Sequence, residues 1–265
     1  MRLTKHHGLG NDFLVALSAD QPAPLDPDPA LAVRWCDRRR GIGADGLIWG
    51  LPARNPSSAE LRMILHNSDG SEAEISGNGI RCLAQAVLRL DGRADGALRV
   101  ETGAGLRDLE VSATAEPHTV QVRVDMGAVT PGPAVPPQVV EWGALHVVSL
   151  DIGNPHLVLH VDGLDRLDPA RDGAAIAASV PGGINVHFLV AEGPDRLRLA
   201  HWERGAGVTE ACGSGASVAA VAAHDWGLTG DRVTVVMPGG EAHVEVGEHV
   251  HLTGPATYVA DVVTP

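Results

Sequence analysis

A single lysine, Lys5, occurs in 265 residues, and every other member of the twenty-residue Lys and Arg set is arginine. A Schiff base to pyridoxal phosphate needs a buried lysine, so this scarcity argues against that cofactor. Cysteine is sparse too: Cys36, Cys82 and Cys212 form an odd, unpaired set unlike a secreted disulfide framework. No CxxC spacing occurs, and no HxxxH spacing is read as a zinc site. His249 and His251 share strand parity but have no third partner, so they are read as surface residues and no metal site is assigned. The N-terminus lacks an apolar signal core, and Arg38–Arg40 lie too far inside the chain to be an export address. No stretch is long and apolar enough to span a membrane, so the chain reads as cytoplasmic. A formal net charge of −13 argues against a general nucleic-acid binder, which would need a basic face for phosphates.

What is present is a repeat. Ser76-Gly77-Asn78-Gly79 and Cys212-Gly213-Ser214-Gly215 each follow an apolar strand pattern and open a helical one. Upstream, Leu61–His66 and Leu197–Trp202 alternate as strands do. Downstream come the helical runs Ile80–Leu90 and Ala216–Leu228. Each run then leads into a hairpin, 98–101 with 108–111 in one copy and 233–236 with 242–246 in the other. His7–Phe13 and Asp151–His156 occupy comparable places, and the offset between copies is about 136 to 143 residues. The pattern predicts an α+β fold of two pseudo-symmetric domains, each a mostly antiparallel sheet wrapped around a central helix. The first domain is expected at 1–118, completed by a C-terminal strand within 256–265, and the second at 119–255. The Pro-rich stretch Thr130–Gln138 reads as an external connection, and an exposed sheet edge would support a homodimer.

A Cys or Ser ahead of Gly-x-Gly at a helix start has a chemical use. The first turn presents unpaired N–H groups and the positive end of the helix dipole. Glycine lets a carboxylate approach those groups closely. The same field lowers a thiol's pKa, so Cys212 is expected as a thiolate. Two such helix starts serving one substrate could remove a proton from one face of an α-carbon and deliver one to the other. Competing readings are weaker. Gly41-x-Gly43-x-x-Gly46 fits a dinucleotide fingerprint, but charged residues precede it and an apolar strand-like run follows it. Glu74 stands where a nucleophile elbow around Ser76 would need glycine. Cys36 and Cys82 read as core thiols.

The segments His7–Phe13, Gly41–Gly46, Asn67–Glu74, Gly77–Cys82, Gly153–His156, Glu203–Gly205 and Ala211–Gly215 together resemble diaminopimelate epimerase. They keep that family's order and span almost the full chain. The resemblance implies two domains closing over a small-molecule substrate, diaminopimelate. It also implies interconversion of the LL and meso forms by two cysteines without a cofactor. It makes Asn11, Asn67, Asn154, Asn185, Glu203 and Arg204 substrate-binding candidates. Gly77, Asn78, Gly213 and Ser214 would supply N–H groups to the reacting carboxylate, where charge builds as the α-proton leaves. Arg204 can grip a carboxylate through two parallel hydrogen bonds. Cys212 is implied as one catalytic group, and His156 and Glu203 as partners for proton transfer. In isolation His156 reads as a satisfied structural histidine, whereas within Gly153-Asn154-Pro155-His156 the catalytic reading is favoured.

Ser76 departs from the family, which has its first catalytic cysteine there. A hydroxyl is several pKa units weaker as an acid than a thiol. Three readings stay open. The chain is a deliberately inactivated form of an ordinary epimerase; or a natural variant in which Ser76, His156 or water transfers the proton slowly; or a one-base lyase or isomerase. A fourth, from another class, is a non-catalytic amino-acid-binding protein.

Overall fold

The computed structural model describes residues 1–140 and 142–264, and the chain divides into two compact units. One comprises Met1–Asp125 with Thr253–Pro265, and the other Met126–Leu252. The division falls later than residue 119, where the sequence reading set it. Thr119–Gly127 is one unbroken strand whose early residues pair with the strand Gly105–Ala113 of the first unit.

The first unit runs β1 (Arg2–Gly8), β2 (Asn11–Leu17), α1 (Pro29–Cys36), β3 (Gly46–Pro52), β4 (Leu61–Asn67), β5 (Glu72–Ala73), α2 (Gly77–Leu90), β6 (Gly96–Thr102), β7 (Gly105–Ala113) and β8 (Thr119–Gly127). Asp28 caps α1 by accepting the Ala30 N–H at 2.8 Å, and Pro29 supplies the fixed first turn. The second unit runs β9 (Thr130–Pro131), α3 (Pro137–Val140), β10 (His146–Asp151), β11 (Pro155–His160), α4 (Ala174–Ala178), β12 (Asn185–Gly193), β13 (Arg196–Trp202), α5 (Gly213–Asp225), β14 (Arg232–Met237) and β15 (Gly240–Glu245). The last strand, β16 (Val250–Val263), starts earlier than the expected 256–265 and pairs antiparallel with β1.

Most pairings are antiparallel. The parallel ones recur in equivalent places: β2 with β3 and β4 with β6 in one unit, β11 with β12 and β13 with β14 in the other. Parallel neighbours need a crossover, and α1, α2, α4 and α5 supply them. Both central helices start three residues before the apolar run predicts. Ser76 and Cys212 act as caps, and Gly77 and Gly213 already have helical geometry.

Each of these helices is the core of its own unit. Gly77–Ala86 is buried on every side of α2, against β1, β2, β3, β4 and β7. Gly213–Ala220 is likewise buried in α5, against strands β10 to β15. Small side chains let α5 lie close to its sheet, most tightly at Gly215, where a β-carbon would overlap the His187 ring. Gly215→Ala is therefore expected to lower stability by about 1–3 kcal/mol through overpacking. Gly163→Ala, with open space around the new methyl, should stay within about 0.5 kcal/mol in the same urea melts. Equal midpoints for the two variants would contradict the packing described here. Among the described residues no helix is long and apolar enough to cross a membrane.

Candidate active site

In the first unit, Ser76 ends the polar link after β4 and β5 and caps α2. Its Oγ accepts the Gly79 N–H at 3.0 Å. The helix then places Asn78 inward, 1 % exposed, where its Nδ2 donates to Asn11 Oδ1 at 3.0 Å. Asn11 in turn donates to Asp45 Oδ2 at 2.7 Å. Arg38 ties this acid to Asp12, at 2.8 Å and 2.6 Å. Lys5 donates to the Gly43 carbonyl at 2.6 Å and pairs with Asp12 at 2.9 Å, so it serves this network. Asn67 lies at the end of β4, donating to Ser71 Oγ at 3.0 Å.

Arg81 lies behind Asn78 and is fully buried. It donates to Asn78 Oδ1 at 2.8 Å, the Gly77 carbonyl at 2.9 Å and the Pro255 carbonyl at 3.2 Å. All three are uncharged oxygens, and burial lowers the guanidinium pKa to about 10. A fixed cation beneath a helix N-terminus adds to the positive potential there. Gly8 and Gly254 leave room for it, since a β-carbon at either would lie 3.0 or 3.1 Å from the guanidinium.

In the second unit, Cys212 caps α5 as Ser76 caps α2, with Sγ accepting the Gly215 N–H at 3.4 Å. Ser214 Oγ lies 3.7 Å from the sulfur. Glu203 is hydrogen-bonded to the thiol and receives the Thr209 hydroxyl. The expected thiolate is not what this arrangement favours. Burial, followed by the charge and hydrogen bond of Glu203, holds the Cys212 pKa well above an ordinary thiol's. The Gly215 N–H and Ser214 act the other way and are outweighed. Cys212 thus rests as a thiol with a carboxylate beside it.

His156 on β11 is completely buried. Its Nε2 bonds Asn154 Oδ1 at 2.7 Å and its Nδ1 bonds His187 Nε2 at 2.8 Å. Burial, with a smaller contribution from the positive Arg204, pushes its pKa down to about 3. Asn185 anchors Arg204 by accepting its backbone N–H at 3.0 Å, and donates to the Pro155 carbonyl at 2.9 Å. Gly213 and Ser214 form the first turn of α5.

Each unit therefore gathers its own predicted residues. Asn11 and Asn78 share one network with Arg81 at the helix that Ser76 caps, while Asn154 joins His156 and Glu203 joins Cys212. The sequence reading missed Asp45, Arg81, His187 and Thr209, which bond to predicted residues from behind, and His201, which bonds Thr209. The register of the two copies was the available signal. Ile48 opposes Leu65 in one unit, as His187 opposes His201 in the other.

A family model for diaminopimelate epimerase matches residues 3–131 and 148–259. A diaminopimelate epimerase from Desulfitobacterium hafniense is 42% identical over 277 residues, covering 98% of this chain and 96% of that protein. The diaminopimelate epimerase of Synechococcus elongatus is 37% identical over 278 residues, covering 98% and 96%. Among solved structures, a predicted epimerase from Pseudomonas aeruginosa superposes with a TM-score of 0.75 at 18% identity, over 98% of each chain. A hydroxyproline epimerase from Agrobacterium vitis, with bound trans-4-hydroxy-L-proline, gives 0.71 at 17% identity, over 99% of this chain and 91% of that one. At these identities the structural likeness speaks for the fold.

Proposed function

The chain belongs to the diaminopimelate epimerase family, and from that premise we propose that it interconverts LL- and meso-diaminopimelate in the cytoplasm without a cofactor. Cys212 and Ser76 are the two groups proposed to exchange the α-proton. The observation that carries this reading is the matched pair of caps. Each presents its side chain at the first turn of a buried helix, bonded to the N–H three residues on.

The two caps have different strengths. Cys212 holds a proton that Glu203 is placed to receive or return, so this thiol can act as acid or, once relieved of its proton, as base. Ser76 has the helix start and the buried charge of Arg81 behind it, but no carboxylate or imidazole is bonded to its hydroxyl among the described residues. Proton transfer at Ser76 is the slow half of the reaction. As the α-proton leaves, negative charge moves onto the substrate carboxylate. The N–H groups of Gly77, Asn78, Gly213 and Ser214 are the donors proposed to meet it. Asn11, Asn67, Asn154, Asn185, Glu203 and Arg204 are assigned to the two amino-acid ends of the substrate, which need donors for carboxylates and acceptors for ammonium groups.

Proton NMR of LL- and meso-diaminopimelate incubated with the protein in D₂O tests this. The expected result is deuterium at the α-carbon with slow accumulation of the other epimer. Exchange without epimer would identify a one-base enzyme. A lack of exchange both here and in Ser76→Cys would overturn the reading in favour of a binding protein.

A further inference from the structure

The two units differ most sharply one residue layer beneath their helix starts. In the first unit Phe13, Ile48 and Leu65 line that layer on β2, β3 and β4, and all three are buried. Their equivalents on β11, β12 and β13 are His156, His187 and His201, equally buried. Two residues along the same strand faces stand Asn11, Gly46 and Asn67 in one unit, and Asn154, Asn185 and Glu203 in the other. The fold thus accepts an apolar trio at this layer, and packing alone does not call for three imidazoles. Burying a polar ring costs free energy unless its nitrogens are bonded, so the row points to a use.

The hydrogen bonds show a direction. His187 Nδ1 and His201 Nδ1 are buried without a partner. A buried N–H without an acceptor is rarer and costlier than a bare lone pair, so both rings carry their proton on Nε2. His187 then donates to His156 Nδ1, which fixes the His156 proton on Nε2, where it donates to Asn154 Oδ1. Asn154 is left with its Nδ2 amino group as the outward donor. In the parallel branch the Thr209 hydroxyl proton goes to Glu203, so Thr209 Oγ1 must accept the His201 Nε2–H, at 3.0 Å. His201 therefore fixes Thr209, which fixes Glu203 beside the Cys212 thiol.

We infer that His187 and His201 are positioning residues, setting through His156 and Thr209 the orientation of Asn154 and Glu203 for substrate carboxylate and thiol. The assignment of Asn154 and Glu203 to substrate and thiol rests on the proposed epimerase reading, whereas the proton positions on the rings do not. Burial keeps all three imidazoles neutral near pH 7, consistent with a fixed relay of donors.

Long-range ¹H–¹⁵N correlation spectra of the unaltered protein at pH 7 read the tautomers directly. The expected result is protons on Nε2 of His156, His187 and His201. A proton on His156 Nδ1 would overturn the inference without any variant. His187→Ile and His201→Leu restore the residue types of the first unit. They are expected to lower kcat/KM by about 10-fold or more, as displaced orienting groups do. His187→Ile should also redistribute the His156 tautomers, and His187→Gln, whose amide can still donate to His156 Nδ1, should recover most of both. Unchanged tautomers and kinetics in His187→Ile would sink the idea. If either apolar variant fails to fold, the spectra of the unaltered protein and of His187→Gln still decide. Absence of diaminopimelate turnover with the expected tautomers would instead count against the epimerase reading alone.

Discussion

Ser76→Cys is expected to raise the rate of diaminopimelate epimerisation by about 100-fold or more, the usual scale for a well-placed acid or base. Ser76 already occupies the cap position of α2, with φ and ψ close to those of Cys212 at α5. A sulfur there would keep the N–H of Gly79 as its partner and would need little rearrangement. The thiol differs from the hydroxyl chiefly in acidity, by several pKa units. Arg81, buried and bonded only to neutral oxygens, would favour its thiolate, where the second unit has Ser217 in the equivalent place. The measurement is the NMR time course in D₂O for both proteins at matched concentration. An unchanged rate would show that Ser76 does not stand at a proton-transfer position.

Lowering the pH from 7 to 5.5 is expected to destabilise the protein by about 1 kcal/mol for each fully buried histidine, on the order of 4 kcal/mol for His6, His156, His187 and His201 together. Burial is the main cause in every case. It holds His6 and His201 at about 4 and His156 at about 3, and keeps His187 well below the ordinary value of 6.5. In the unfolded chain these rings take up protons near pH 6.5, whereas the native rings stay neutral. Their contribution is intact above pH 6.5 and is lost as the pH falls toward 4, where the native rings begin to charge and the decline flattens. Against a typical total of about 5–15 kcal/mol, that loss is large. Urea melts at pH 7, 6.2 and 5.5 give the slope, and equal unfolding free energies at 7 and 5.5 would refute the neutral, buried state of these rings. Because three of the four lie in one row, His187→Ile should make the slope shallower.

The sequence by itself determined the architecture and the matched capping residues at the two helix starts. Alternating strands, Ala-rich helices and two Gly-x-Gly openings are local patterns, repeated along the chain, and each copy constrains the other. Cys212, Ser76 and the asparagines beside them stood out because glycine and a capping side chain are needed wherever a helix start must meet an anion. The pattern also implied that a thiol at such a start would be ionised, and there it misled. Helix dipole and sequence position say nothing about a carboxylate brought in from beyond the end of β13, nor about how completely α5 is enclosed. Only tertiary packing put Glu203 against Cys212 and removed water from it. Tertiary structure likewise decided where Arg81, His187 and His201 lie and what they bond. A histidine on a strand reads in sequence as an ordinary core or surface residue. It took the register of three neighbouring strands to line up His156, His187 and His201 beneath α5, where the other unit carries Phe13, Ile48 and Leu65. Side-chain periodicity is a property of one element at a time, whereas burial, neighbouring charge and the direction of a hydrogen bond belong to elements far apart in the chain.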